Sequence, residues 1–201
     1  MEFQEFPKMA RLSREVIVTE KIDGTNAQIF IYQTPGFDES PLVVAQDGNG
    51  LAMLVGSRTR WITPHDDNFG FARWAQEHAG ELFSLGVGRH FGEWFGSGIQ
   101  RNYGLQEKRL ALFNVSRWDD DAVRPVCCHV VPTLWRGNFS ELDAGLLLDD
   151  LAALGSHAAP GFLKPEGIVV FHVAAGIGFK KTIHKDEIPK SVAEKLATQV
   201  A

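Results

Sequence analysis

Apolar residues in this chain come in short runs, and turn-forming residues separate most of them. Val16-Ile17-Val18, Ala27 to Tyr32, Leu42 to Ala45, Ala52 to Val55, His90 to Trp94, Leu110 to Val115, Val126 to Val131, Ile168 to Val173 and Ile177 to Phe179 each read as a strand. Asp23-Gly24 is a turn signal between the first two runs, where a hairpin is expected. Pro35, Gly36 and Pro41 mark a loop, and Asp47-Gly48-Asn49-Gly50 divides the next strand pair. Helical spacing is found at Phe71, Trp74, Ala75, His78 and Leu82, behind a capping Asp66 or Asp67 and ended by Gly86 and Gly88. A second helix runs through Leu154 behind a Ser140/Asp143 capping box, and a short terminal helix is expected over 191–200. Strands outnumber helices and do not alternate with them. The fold class expected is therefore α+β with antiparallel sheets, not a βαβ repeat. No GxGxxG or P-loop pattern supports the usual nucleotide folds.

The 201 residues suit one domain, 1–201, with no separate C-terminal domain. With 44% hydrophobic and 22% charged residues the chain is neither disordered nor collagen-like. No apolar run reaches membrane-span length, and MEFQEFPKMARLSRE has no signal-peptide core, so no membrane association and a cytoplasmic location are expected. The adjacent Cys127 and Cys128 fit a reducing compartment. The formal charge of −5 means that any nucleic-acid partner needs a local basic patch.

Five segments place chemically useful residues beside these strands. Glu20-Lys21-Ile22-Asp23-Gly24-Thr25-Asn26 puts a lysine at a strand end, where it is either solvated or held in a cleft as a nucleophile. Ser57-Arg58-Thr59-Arg60 is a small basic turn. Gly92-Glu93-Trp94-Phe95-Gly96 holds a carboxylate that serves either the strand or sugar hydroxyls. Pro165-Glu166-Gly167 sets a carboxylate just before an apolar strand, and Phe179-Lys180-Lys181-Thr182 sets cations at the end of its partner. The seven histidines lack metal-ligand spacing such as HExxH. The five tryptophans read mainly as core and rim, although Trp61 and Trp94 adjoin these segments and could touch substrate.

Taken in order, these five segments and the Leu110 to Val115 run resemble the motifs of the covalent nucleotidyltransferases, and within them the ATP-dependent RNA ligases of the RNA ligase 2 type. EKIDGTN is similar to motif I, SRTR to motif Ia, FGEWFG to motif III, LALFNV to motif IIIa, PEGIVV to motif IV and FKKT to motif V. The asparagine after Gly-Thr is the RNA-ligase feature; capping enzymes and DNA ligases tend to carry arginine there. The likeness runs from Glu20 to about residue 190 and implies an adenylation domain of antiparallel sheets with flanking helices, ATP-grasp-like.

The resemblance implies a three-step reaction joining 5′-phosphate and 3′-hydroxyl ends through lysyl-AMP and an adenylated 5′ end. Lys21 is then the nucleophile. Glu20 lies beside the adenine edge, and Phe113 either stacks on the purine or belongs to the core. Glu93 meets the ribose, Arg58 the sugar and phosphate, and Asn26 the metal and phosphates. Glu166 holds Mg²⁺ or Mn²⁺. Lys180 clamps the α-phosphate. Lys181 is its neighbour where relatives often show Lys-x-Lys, and strand alternation favours Lys180 as the cleft residue. The implied partner is nucleic acid: RNA ends or nicks, possibly DNA-containing. Relatives often add a C-terminal nucleic-acid-gripping domain, so its expected absence implies an accessory protein or ends already held together. Alternatives are a stand-alone RNA 5′-adenylyltransferase and a degenerate nucleotide- or RNA-binding form. Arg58, Arg60, Arg73, Arg89, Arg101, Lys108 and Arg109 are the candidates for a phosphate-binding surface.

Overall fold

Val16 to Thr19 are buried without a break, and this continuous apolar stretch is explained by what lies on either side. In the computed structural model, which describes residues 2–184, strand β1 (Glu15–Lys21) is an inner strand of a four-stranded antiparallel sheet. It pairs with β9 (Thr133–Asn138) on one side and β10 (Gly167–His172) on the other, and β11 (Ile177–Thr182) completes the order β11-β10-β1-β9. One face of this sheet packs Val16, Val18, Ile168 and Val170 against Leu148 and Leu151 of helix α4 (Ala144–Leu154). The opposite face turns Ile17 toward a second cluster with Ile22, Phe95, Tyr103, Ala111 and Val115. A strand covered on both faces has no polar side to alternate with.

The second sheet runs β3 (Ala45–Gln46), β4 (Leu51–Gly56), β2 (Thr25–Gln33), β6 (Gly88–Gly96), β7 (Lys108–Leu112) and β8 (Cys128–Val130), with β5 (Trp61–Ile62) paired to β4. The β7–β8 pairing is parallel; the others are antiparallel. Ala27, Ile29 and Ile31 project from one face of β2 onto helices α1 (Phe71–Glu77) and α2 (Ala79–Leu82), where Phe71, Ala72, Ala75 and Leu82 complete the largest core cluster. The layers are therefore helix, sheet, cleft, sheet, helix. The α+β expectation is met. Among the described residues no helix is long and apolar enough to cross a membrane.

Several local expectations need correction. Asp23-Gly24 does not close a hairpin: β1 and β2 belong to different sheets, and the turn carries the chain across the cleft between them. A turn signal dictates the local backbone but not the partner of either flanking strand. The run at 42–45 yields pairing only at Ala45–Gln46, whereas Asp47 makes the expected turn, its Oδ1 accepting from the amides of Asn49 and Leu51. The helix at 71–82 breaks at His78 into α1 and α2. Its start is held by Asp67, whose Oδ1 accepts from Ala72 N and whose Oδ2 accepts from Arg73 N. Asp143 caps α4 directly through the amides of Gly145 and Leu146, while Ser140 sits in a separate short turn capped by Asn138. Strand β7 stops at Leu112, and a short α3 (Val115–Trp118) replaces its expected end. Strand β9 was not expected at all. Cys127 and Cys128 are free thiols. The expected 191–200 helix lies outside the described residues.

Glu20, one residue before Lys21, is 1% exposed and has no salt-bridge partner among the described residues. Its Oε1 accepts from Ser156 Oγ at 2.6 Å, and its Oε2 accepts from the amides of His157 at 2.8 Å and Ala158 at 2.9 Å. This carboxylate pins the segment that follows α4 to the end of β1. Glu20→Ala strands those donors in a buried setting and is expected to lower stability by about 2–4 kcal/mol in urea denaturation. Glu20→Gln, which keeps two acceptor sites, is expected to lose less. Equal losses would show that the carboxylate has no such role.

Candidate active site

Lys21 ends β1 and Gly167 begins β10, and the two residues are direct cross-strand partners. Glu166, one residue before Gly167, is thereby delivered to the lysine: Lys21 Nζ donates to Glu166 Oε2 at 2.6 Å. The two side chains are 24% and 18% exposed, so the pair is shielded yet open to a ligand from one side. Gly167 permits this closure, because a Cβ there would overlap the Lys181 carbonyl on β11.

Lys21 borders a cavity of about 650 Å³ between the inner faces of the two sheets. Ile17, Thr19, Lys21, Val169 and Phe171 line it from the first sheet; Asn26, Arg89, Phe91 and Glu93 line it from the second. Phe113, just beyond β7, lines it too and is 42% exposed, which settles the choice between core and cavity wall for that ring. Phe91, the first residue of FGEWFG, and Phe171, just beyond PEGIVV, are 50% and 40% exposed and form further aromatic walls to which the sequence reading gave no role. A volume of this size, with apolar walls and a few convergent polar groups, suits a small-molecule site.

Glu93 sits across the cleft from the ion pair. Its Oε1 accepts from Gly24 N at 3.0 Å and its Oε2 from Asn26 Nδ2 at 3.3 Å. Gly24 approaches so closely that a Cβ would overlap Trp94 O and crowd Phe95 Cβ at 2.8 Å. Asp23 is fixed beside it: its amide donates to Tyr103 Oη at 2.7 Å, and its Oδ2 accepts from Arg101 Nε at 2.8 Å. Arg101 also donates to the Lys164 carbonyl at 3.1 Å, so one guanidinium ties the turn after Lys21 to the turn before Glu166. Asp23 and Tyr103 were not among the expected site residues, and Arg101 was expected only as part of a phosphate-binding surface, whereas it is paired with Asp23.

The remaining expected residues divide by position. Glu20 borders the cavity, but its carboxylate is committed to residues 156–158. Lys180 pairs with Val169, which pairs with Thr19, so Lys180 shares the face of Lys21; Lys181 pairs with Ile168 on the α4 face. Arg58 is exposed on the turn between β4 and β5 and does not line the cavity. The candidate basic surface is dispersed: Arg60, Arg73, Arg101 and Arg109 are each paired to a carboxylate, and Lys108 donates to Phe69 O at 2.8 Å. Trp94 is buried core, whereas Trp61 is half-buried. Among the described residues no group of three or more His, Cys, Asp or Glu is gathered to hold a metal. Glu166 offers one hard oxygen donor group beside the lysine. That suits an ion such as Mg²⁺, which takes one or two carboxylates and completes its shell with phosphate oxygens and water.

Burial pushes the Glu93 carboxyl up to about 7, opposed by the Gly24 amide and the Lys21 ammonium and reinforced by the charges of Glu166 and Asp23. A folded-state value above the unfolded one contributes stability at low pH that is lost as pH rises through about 7. Glu93→Gln keeps an acceptor for Gly24 N and removes the titration. Its stability relative to the parent protein is expected to rise from pH 5 to pH 8, by about 2–3 kcal/mol over that range. A difference that does not change with pH would contradict this.

The RNA ligase family model matches residues 14–185. No curated protein matches the chain by sequence. Among solved structures, a mutant Naegleria gruberi RNA ligase with ATP and Mn is similar with a TM-score of 0.54 and 18% identity, over 91% of this chain and 51% of that one. The same organism's ligase with PPi gives 0.53 and 18%, over 92% and 52%. Another mutant, with AMP and Mn, gives 0.55 and 17%, again over 92% and 52%. The chain thus spans about half the length of these structures, and at such identity the likeness is one of fold. With a family match over most of its length and the nucleotidyltransferase type of fold, the chain belongs to the RNA ligase family.

Proposed function

We propose that this chain is an ATP-dependent RNA ligase that joins 5′-phosphate and 3′-hydroxyl ends through a covalent lysyl-AMP. The observation that carries the reading is Lys21, held 2.6 Å from Glu166 at the edge of a cavity walled by Phe113 and Glu93. In the first step Lys21 Nζ attacks the α-phosphorus of ATP. A P–N bond forms, the bond to pyrophosphate breaks, and the amine loses its proton. AMP then passes to the 5′-phosphate of the acceptor, and a 3′-hydroxyl displaces it as the phosphodiester forms.

The chain's own groups divide the work. The exposed ring of Phe113 offers a stacking face for the purine, with Ile17 and Val169 as apolar walls. Glu93, held by the Gly24 and Asn26 amides at the cavity wall, is placed to bind ribose hydroxyls, and Asn26 serves the phosphates; Arg58, on the turn outside the cavity, is not assigned to them. Lys180, on the face of Lys21, is the better-placed clamp for the α-phosphate; Lys181 is the less suited of the two. Glu166 first restrains the Lys21 ammonium and then serves the metal, Mg²⁺ or Mn²⁺. When bound, that ion supplies neutralisation of the charge that develops on the phosphate. RNA ends or nicks as substrate, tolerance of a DNA-containing strand, an accessory protein that grips the nucleic acid, and a cytoplasmic setting belong to the same proposal; the charge of −5 favours the accessory protein.

Intact-protein mass spectrometry tests the first step. After discharge with pyrophosphate, the protein incubated with ATP and Mg²⁺ is expected to gain one AMP, and Lys21→Ala none. Phe113→Ala is expected to raise the ATP concentration needed for half-charging about tenfold, the loss of about one stacking contact. Absence of an adduct on the discharged parent protein would overturn the proposal.

A further inference from the structure

The cleft-facing side of β2 continues beyond the cavity. Asn26, Gln28, Phe30 and Tyr32 alternate along it, and four residues from Asn26 to Phe30 span about 13 Å. Phe30 pairs directly with Arg89 of β6, whose guanidinium lies over the Phe30 ring at 4.2 Å and 5.4 Å from the Trp61 ring centroid. Phe30 also stacks on Tyr32 at 5.3 Å and on Trp61 at 6.2 Å. Tyr32 is tethered at the far end by its hydroxyl, which donates to Asp38 at 2.7 Å. Arg89 lines the cavity, so this aromatic and cationic strip is continuous with the candidate active site.

Two features give the strip a ligand. Arg89 is exposed, and among the described residues neither it nor Arg58, on the turn next to Trp61, is paired with a carboxylate. That sets them apart from most of the candidate basic residues, whose charges are already met. In addition, Gln28, between Asn26 and Phe30, has a buried side-chain Nε2 with no hydrogen-bond partner among the described residues. A flat guanidinium already laid on an aromatic ring presents a plane for a base and a charge for a phosphate, and an unmatched amide donor awaits an acceptor.

We infer that the Gln28–Phe30–Trp61–Arg89 strip is the docking surface for an unpaired stretch of the polynucleotide next to the end being joined, with a base stacked on Arg89 and the backbone near Arg58. The inference rests on the ligase reading, and its test separates the two. Binding of a fluorescein-labelled, 5′-phosphorylated single-stranded RNA is read by anisotropy, and charging of Lys21 with AMP is read by mass. Trp61→Leu is expected to charge as the parent does, which also reports that it is folded, and to bind the RNA about 5- to 100-fold more weakly. Arg89→Lys, which keeps the charge and loses the plane, is expected to weaken binding as well. RNA binding unchanged in both variants would overturn the inference and leave the strip to a protein partner. Charging without any RNA binding by the parent protein would overturn it while sparing the ligase reading. Variant-sensitive RNA binding without charging would support the strip and sink the ligase reading.

Discussion

Lys21 and Glu166 meet because β1 and β10 are paired in one register, with Lys21 opposite Gly167. They are 145 positions apart in the chain. A slip of one residue would turn Lys21 away from the cavity and bring Glu20 toward it. The neighbours of the pair guard against that slip. Val16 and Val18 are locked under α4, Ile17 is locked in the inter-sheet cluster, and the Glu20 carboxylate is spent on Ser156, His157 and Ala158. The alternation of Glu20 and Lys21 to opposite faces is thus enforced from both sides. One carboxylate builds the scaffold, and the adjacent amine is left at the cavity.

Glu93 contrasts with both acids. Glu20 is filled by three donors and Glu166 faces a lysine, whereas Glu93 is buried with one backbone amide and one side-chain amide and is pushed toward neutrality. A group in that state is unfavourable for the fold near neutral pH and becomes useful when hydroxyl donors reach it. The Arg101 bridge between the Asp23 turn and the Lys164 carbonyl adds the rigidity that two loops facing each other across a cleft otherwise lack.

Much of this was legible in the sequence because most of the candidate residues sit at or near strand ends, where turn residues and apolar runs meet. Lys21, Glu93, Asn26 and Phe113 line one cavity as the motif order implied. What was not legible depends on pairing. Strand β9, with Pro132 before it and Arg136, Gly137 and Asn138 within it, has no strand pattern of its own and is a strand because β1 offers it an edge. The Asp23-Gly24 turn reads identically whether it closes a hairpin or crosses between sheets. Arg58 follows β4 in sequence, yet nothing local says that its turn stands outside the cavity. Arg101 and Tyr103 belong to a loop whose backbone is left-handed at Gln100, Asn102 and Tyr103, a conformation that asparagine favours but that is uncommon for glutamine and tyrosine.

A crystal structure of the protein charged with ATP and Mg²⁺ tests the central claim most directly. The account predicts continuous density from Lys21 Nζ to phosphorus, a purine against Phe113, and Glu166 no longer bonded to Lys21. A nucleotide bound elsewhere, or one in the cavity with the Lys21–Glu166 pair intact and no bond to Nζ, would contradict it.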